Sequence, residues 1–243
     1  MSRFYVPREA VSGAKITVTG DEAHHIRDVM RLKVSDNVVC FDGTGREYAG
    51  VIKEIGQKAV IVGIIRTSEP KAKDAHTITL IQAIPKKEKM DYIVQKATEL
   101  GANCIIPVMT ERTIVDWDQK KRDSSLERWQ RISREASKQC GRLDLPEIRP
   151  VAGFKEALKA VAGQDLALIA ALSGDAISLK NALQGAKPRS IVIAIGPEGD
   201  FSPKEIEEAK ASGFKLVDLG RRVLKSDTAG LAVLSVINYE LSN

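Results

Sequence analysis

The chain of 243 residues has little of what marks several large protein classes. No run approaches about 18 consecutive apolar residues, which excludes a membrane-spanning helix. The opening Met1-Ser2-Arg3-Phe4-Tyr5-Val6-Pro7 has no apolar core of the kind a secretory leader needs, so no leader is expected. The cysteines are Cys40, Cys104 and Cys140, far apart and never in a Cys-x-x-Cys pair. That argues against a disulfide scaffold and a structural zinc site, and fits a reduced, cytoplasmic setting. His24 and His25 are adjacent, so they face apart on a helix, and His76 has no ligand-spaced neighbour; no metal is expected. Gly-x-Ser-x-Gly is absent, as are Gly-x-Gly-x-x-Gly after a strand and Gly-x-x-x-x-Gly-Lys-Ser/Thr. Covalent hydrolysis and the two familiar nucleotide loops therefore lack support.

What is present is ordinary core-forming material, 43% hydrophobic and 28% charged, long enough for one large or two small domains. The net charge of +5 weakly favours a polyanionic partner. Residues 71–150 supply +4 of it. Within them, residues 124–140 predict a helix that buries Leu126, Trp129, Ile132, Ala136 and Cys140 and carries Arg131, Arg134 and Lys138 on another face. Those cations are either an anion-binding face or a solvated one, since Glu127–Arg131 and Arg131–Glu135 are spaced as helical ion pairs. Gly141 suits the helix end.

The first 70 residues predict a β-rich domain, with strands over 15–19, 37–41, 47–55 and 59–65, one helix over 21–30 and a turn at Asp42-Gly43-Thr44-Gly45. The polar stretch 69–74 reads as a linker. From His76 the pattern changes to alternation of strand and helix. Strands are predicted over 77–83, 103–108, 166–172, 190–195 and 215–219, and helices over 86–100, 124–140, 154–161, 203–211 and 227–241. Strands this apolar, separated by helices, predict an α/β domain with a largely parallel sheet covered on both faces.

The most informative stretch runs from Ile191 to Glu205. A buried strand leads through Ile195 into Gly196-Pro197-Glu198-Gly199, then into a helix capped by Ser202 with Pro203 at its first position and Glu205 completing a capping box. Glycines at the carboxyl end of a parallel strand let a ligand approach bare backbone; the plain alternative is a tight turn. A second loop, Gly220-Arg221-Arg222-Val223-Leu224-Lys225, brings three cations to the start of the last helix. Ser226 and Asp227 are natural caps there; a cap is the favoured reading of Asp227 by itself, with a functional carboxylate as the alternative.

Taken together these stretches resemble the bacterial 16S rRNA uridine-N3 methyltransferases of the SPOUT superfamily. The resemblance is carried by Asp21-Glu22-Ala23-His24-His25-Ile26-Arg27 with Arg31-Leu32, and by Met90-Asp91 through Lys96-Ala97-Thr98-Glu99-Leu100-Gly101. It continues in Pro107 through Glu111-Arg112, Arg128-Trp129 through Gly141-Arg142 and Pro146-Glu147-Ile148, Gly196 to Gly199, and Leu219 to Leu224. It implies an N-terminal PUA-like β-barrel over 1–70 that helps hold RNA, and a SPOUT α/β domain over 74–243 with a trefoil knot. S-adenosylmethionine (SAM) is then the cofactor, held by Leu172, Ile195, Gly196, Pro197, Glu198, Gly199, Leu219, Gly220, Arg222, Val223 and Leu224. The family likeness also implies a homodimer and a small-ribosomal-subunit substrate.

Lys225-Ser226-Asp227 stands where the family commonly has Arg-x-Glu, and lysine does not reproduce a bidentate arginine contact, so the charge-stabilising role falls to Arg222. Asp227 and Glu198 are both candidate bases. RNA contacts are expected from Arg3, Arg27, Arg31, Arg112, Arg131, Arg134 and Arg142. Two rival readings remain, a non-catalytic RNA-binding ribosome-assembly factor and a SPOUT methyltransferase of another RNA target; cofactor binding separates the first from the enzyme.

Overall fold

The computed structural model describes residues 2–68, 76–115 and 117–241. The predicted linker over 69–74 lies outside them. The chain divides into two compact units, Met1–Lys73 with Ser137–Leu145, and Asp74–Ala136 with Pro146–Asn243.

The first unit contains β1 (Arg3–Tyr5), β2 (Val11–Ser12), β3 (Lys15–Thr19), α1 (Gly20–His24), β4 (Asn37–Phe41), β5 (Glu47–Ile55) and β6 (Ala59–Ser68). They form one six-stranded sheet in the order β1-β4-β5-β6-β3-β2, antiparallel except for β1 beside β4. Its core is Phe4, Val6, Ile16, Val18, Ile26, Val38, Cys40, Ile52, Val60 and Val62. Alternate residues of β3 are buried, as period-two pairing requires. The β5–β6 register shifts at Ala49/Gly50 and Ile52/Glu54, which bends the sheet. Gly50 is needed there, because a Cβ would lie 2.6 Å from Val62 Cγ1 and 2.7 Å from the Gly63 carbonyl oxygen. The helix predicted over 21–30 is not uniform. After α1 it widens to a π turn over His25–Val29, with Met30 N–H donating to the His25 carbonyl, and Arg31 then turns left-handed at φ 52.

The second unit holds β7 (Thr77–Ala83), α2 (Lys89–Glu99), β8 (Cys104–Met109), the first five turns of α3 (Gln119–Cys140), β9 (Glu147–Ile148), β10 (Ala152–Gly153), α4 (Phe154–Ala160), β11 (Leu166–Ala170), β12 (Ile177–Ser178), α5 (Leu179–Leu183), β13 (Ser190–Ile195), α6 (Pro203–Ala211), β14 (Lys215–Asp218) and α7 (Ser226–Leu241). Eight strands pair in parallel in the order β10-β8-β7-β13-β11-β14-β12, with β9 on β8. The continuous apolar runs reflect burial on both faces. Ile78, Leu80, Ile191, Ile193 and Ile195 join the core of α2, α3 and α7, while Ile81, Ala83, Val192 and Ala194 join that of α4 and α6.

One expectation for α3 is corrected. Cys140 is exposed, not buried. The fully buried stripe is Ser125, Trp129, Ser133, Ala136 and Ser137, with Leu126 and Ile132 partly buried against the same core as Trp129; small serines allow close approach where a purely apolar count looks for bulk. The glycine expected to end the helix does so: Gly141 is left-handed, and its N–H and that of Arg142 both donate to the Ser137 carbonyl. Burial pushes the Cys40 and Cys104 thiols up to about 12, so neither serves as a nucleophile at neutral pH.

Candidate functional site

Three neighbouring parallel strands end at one edge of the second unit's sheet: β11 at Ala170, β13 at Ile195 and β14 at Asp218, with β11 in the middle. Their carboxyl-end connections enclose a cleft of about 260 Å³, the place where open α/β sheets bind ligands. Leu172, Ile195, Gly196, Pro197, Glu198, Leu219, Gly220, Arg222, Val223 and Leu224 line it, joined by Ala170, Ala171, Asp200, Val217, Asp218, Lys225, Ser226 and Ala229. Gly199 does not line the cleft; its carbonyl accepts from Arg112 Nη1 (2.7 Å).

The glycine loop is held from several sides. Ser202 caps α6 through Glu205 N–H, and the Glu205 carboxylate accepts from Ser202 N–H (2.9 Å) and from Glu111 N–H (2.9 Å). Asp200, left-handed at φ 62, accepts from Leu172 N–H (3.0 Å), tying the end of β11 to the loop after β13. Its own N–H donates to the Pro197 carbonyl (3.0 Å). A Cβ on Gly196 would lie 3.2 Å from both Phe201 Cδ2 and Phe201 N, a tight contact that the folded-back loop avoids with glycine. On the facing loop Gly220 is left-handed at φ 108, with its N–H donating to Asp218 Oδ1 (3.0 Å).

The donor set fits a nucleoside-like ligand with charged ends. Aliphatic groups of Ile195, Val217, Leu219, Val223 and Leu224 suit a flat base and ribose, and Glu198, Asp218, Arg222 and Lys225 offer charges of both signs. Leu172 and Val223 are 70% and 73% exposed, apolar edges at the cleft that a bound ligand would cover.

Arg222 projects from the second loop with its side chain exposed, and no group among the described residues pairs with it. Asp227 lies in the first turn of α7 beside the cleft. Its capping expectation, and that of Ser226, is corrected. α7 begins at Ser226, whose hydroxyl donates instead to the Gly196 carbonyl (2.7 Å). Asp227 Oδ2 lies 3.6 Å from Lys89 Nζ, and its buried Oδ1 has no hydrogen-bond partner. Lys89, which the sequence did not single out, also reaches Glu198 Oε1 (3.4 Å). Glu198 is further held by the Lys86 N–H at 3.2 Å. Lys89 thus joins the two candidate bases.

The arginines differ in availability. In the first unit Arg3 reaches Glu47 (2.9 Å) and the Gly141 carbonyl (2.9 Å), Arg27 pairs with Asp28 (2.6 Å) and donates to the Gly56 and Gln57 carbonyls, and Arg142 pairs with Asp144 (2.7 Å). Arg31 is exposed without a partner among the described residues. In the second unit Arg112 holds Gly199, Arg134 is half-buried, and Arg131 is exposed and unpaired among the described residues. Among the described residues no cluster of three or more His, Cys, Asp or Glu could hold a metal, and no helix is long and apolar enough to cross a membrane.

Comparison with known proteins adds independent findings. An RNA methyltransferase domain family matches residues 72–238, and an RNA methyltransferase PUA domain family matches residues 18–65. The chain is 29% identical to ribosomal RNA small subunit methyltransferase E of Bacillus subtilis, across 99% of this chain and 97% of that one. It is 34% identical to the protein of the same name from Synechocystis, across 99% and 78%. Among solved structures it is similar to ribosomal RNA small subunit methyltransferase E of Neisseria gonorrhoeae bound to SAM (TM-score 0.88, 30% identity, 98% and 97% covered). A Legionella pneumophila methyltransferase in complex with SAM is also similar (TM-score 0.88, 32% identity, 98% and 96% covered).

Proposed function

The chain belongs to the RNA methyltransferase family, and from that premise we propose that it transfers a methyl group from SAM to N3 of one uridine in 16S rRNA. SAM-dependent methylation of small-subunit rRNA is its activity; the target atom and the residue roles are the parts proposed. The observation that carries the reading is the cleft where β11, β13 and β14 end, with its tethered glycine loop and its unpaired Arg222.

When bound, SAM supplies the methyl as an electrophile on a sulfonium. The protein's own work is positioning and electrostatics. Uridine N3 carries a proton, so its lone pair must be freed before it can attack. The half-buried Asp227 carboxylate, in the first turn of α7 next to the cleft-lining Ser226, is the general base that takes that proton. Glu198 serves as a tether, its carboxylate already taken by the Lys86 N–H and Lys89. As negative charge spreads over uracil O2 and O4, the Arg222 guanidinium stabilises it. N3 lies on the Watson–Crick edge, so the target base must be unpaired or turned out of its stack.

A trefoil knot at the cleft is supported by the return of α7 onto β7, β13 and α2 after β14 has passed to the far side of β11. A homodimer is supported by Tyr92, Val236 and Tyr239, apolar side chains left exposed on the packed pair α2 and α7. The PUA-like first unit helps hold RNA, and the cytoplasm, where ribosomes assemble, is the compartment. Of the seven arginines expected to meet phosphate, Arg31 and Arg131 are the ones with no ion pair or hydrogen bond to release among the described residues.

Titration calorimetry tests the cofactor part: one SAM per chain is expected, and absence of binding would remove the enzyme reading. RNA affinity is expected to fall steeply with salt, by about tenfold or more between 50 and 200 mM if several phosphates are contacted. A flat dependence would return the arginines to a solvated face.

A further inference from the structure

Gln82 is the one amide in the apolar run of β7, and its side chain is fully buried. It pairs across the sheet with Ile195, the residue before the glycine loop. Its Nε2 donates to the Ala83 carbonyl (3.0 Å) and to Ser226 Oγ (3.0 Å). Ser226 Oγ in turn donates to the Gly196 carbonyl (2.7 Å). The order of donation is forced. A carbonyl only accepts, so the single hydroxyl proton of Ser226 goes to Gly196, and the hydroxyl oxygen must then receive from the amide end of Gln82.

The remaining atom, Gln82 Oε1, is buried without a hydrogen-bond partner among the described residues and faces Gly230 in the second turn of α7. A Cβ on Gly230 would sit 3.2 Å from that oxygen. Glycine inside a helix is unfavourable relative to alanine, and an unsatisfied buried acceptor is unfavourable too. Two such costs at one point are not what packing alone would select; an apolar side chain would fill the space without either.

We infer that Gln82 is a positioning residue for the cofactor cleft, acting through Ser226 on the Gly196 carbonyl. The reason lies in the peptide it controls. Pro197 has no N–H, so the Gly196–Pro197 peptide unit has a single hydrogen-bonding group, and Ser226 takes it. Glycine leaves that unit free to rotate unless something holds it. The relay joins the cleft's two loops, the one after β13 and the one before α7, before any ligand arrives. A cleft preorganised in this way binds without ordering its own backbone. This inference rests on the reading of the cleft as the SAM site.

The test measures SAM affinity, turnover at saturating SAM and thermal unfolding in the full chain for Gln82→Met, Ser226→Ala and the double variant. Each single variant is expected to weaken SAM binding by about tenfold with kcat changed less than about twofold. The double variant is expected to be no weaker than the worse single, because both cut one relay. Affinity within twofold of the parent in both single variants would overturn the inference, whatever happens to the melting temperature. Losses confined to kcat would overturn it as well. If Gln82→Met fails to fold, Ser226→Ala alone decides by the same criterion. Failure of the parent protein to bind SAM is a different outcome and removes the cleft assignment itself.

Discussion

Arg222→Ala is expected to lower kcat by about a hundredfold to a thousandfold while SAM affinity changes by less than about threefold, the pattern of a group that acts only as charge develops. Arg222 stands on the loop between β14 and α7, lines the cleft and makes no ion pair among the described residues. Its removal therefore breaks no ion pair or hydrogen bond among the described residues, and the fold should be unaffected. Arg222→Lys should recover only part of the rate, because an ammonium does not present the planar fork of a guanidinium to a uracil oxygen. Steady-state rates against calorimetric affinity separate the possibilities. Equal losses in kcat and affinity would make Arg222 a cofactor-binding residue and remove its role in stabilising the uracil anion.

Asp227→Asn is the second large effect, a loss of about 10² to 10⁴ in kcat, the usual range for removing a general base. Asparagine keeps the shape of the side chain but not its ability to take a proton. Ser226, its neighbour, still tethers Gly196 in this variant, so SAM binding should persist. Glu198→Gln is the companion measurement. Glu198 is anchored by the Lys86 N–H and lies near Lys89, as does Asp227, so the two carboxylates share one cation and differ in what else holds them. A large loss in Glu198→Gln with little in Asp227→Asn would transfer the base role to Glu198.

Much of this site is legible in sequence, for a local reason. The run Ile191–Ile195 ends on Gly-Pro-Glu-Gly, and the capping box at Ser202 and Glu205 fixes where the next helix starts, so strand, loop and helix are all written within fifteen residues. Which loops meet is another matter. Gln82 and Ser226 are 144 residues apart, and Ser226 and Gly196 are 30 apart; no period or cap connects them. A single glutamine in the strand Thr77–Ala83 was the available signal, a polar side chain where both faces are buried. Ser226 and Asp227 mislead for the complementary reason. Their residue types predict capping, and tertiary partners claim Ser226 for Gly196 while Asp227 makes no backbone bond. Arg112 shows the same limit among the cations, since its guanidinium serves the Gly199 carbonyl across 87 residues. Short pieces such as β9, β10, β12 and α5 were also missed, being two to five residues long and held by neighbours rather than by propensity.

The most direct measurement is methyl transfer from labelled SAM to small ribosomal subunits that lack the modification, followed by mass spectrometry of the nucleosides. The account predicts 3-methyluridine in the 16S rRNA, and its loss in Arg222→Ala. Label on another nucleoside, or at another position of uridine, would contradict the assignment of N3 as the nucleophile. SAM binding without transfer to these subunits would contradict the assignment of the substrate.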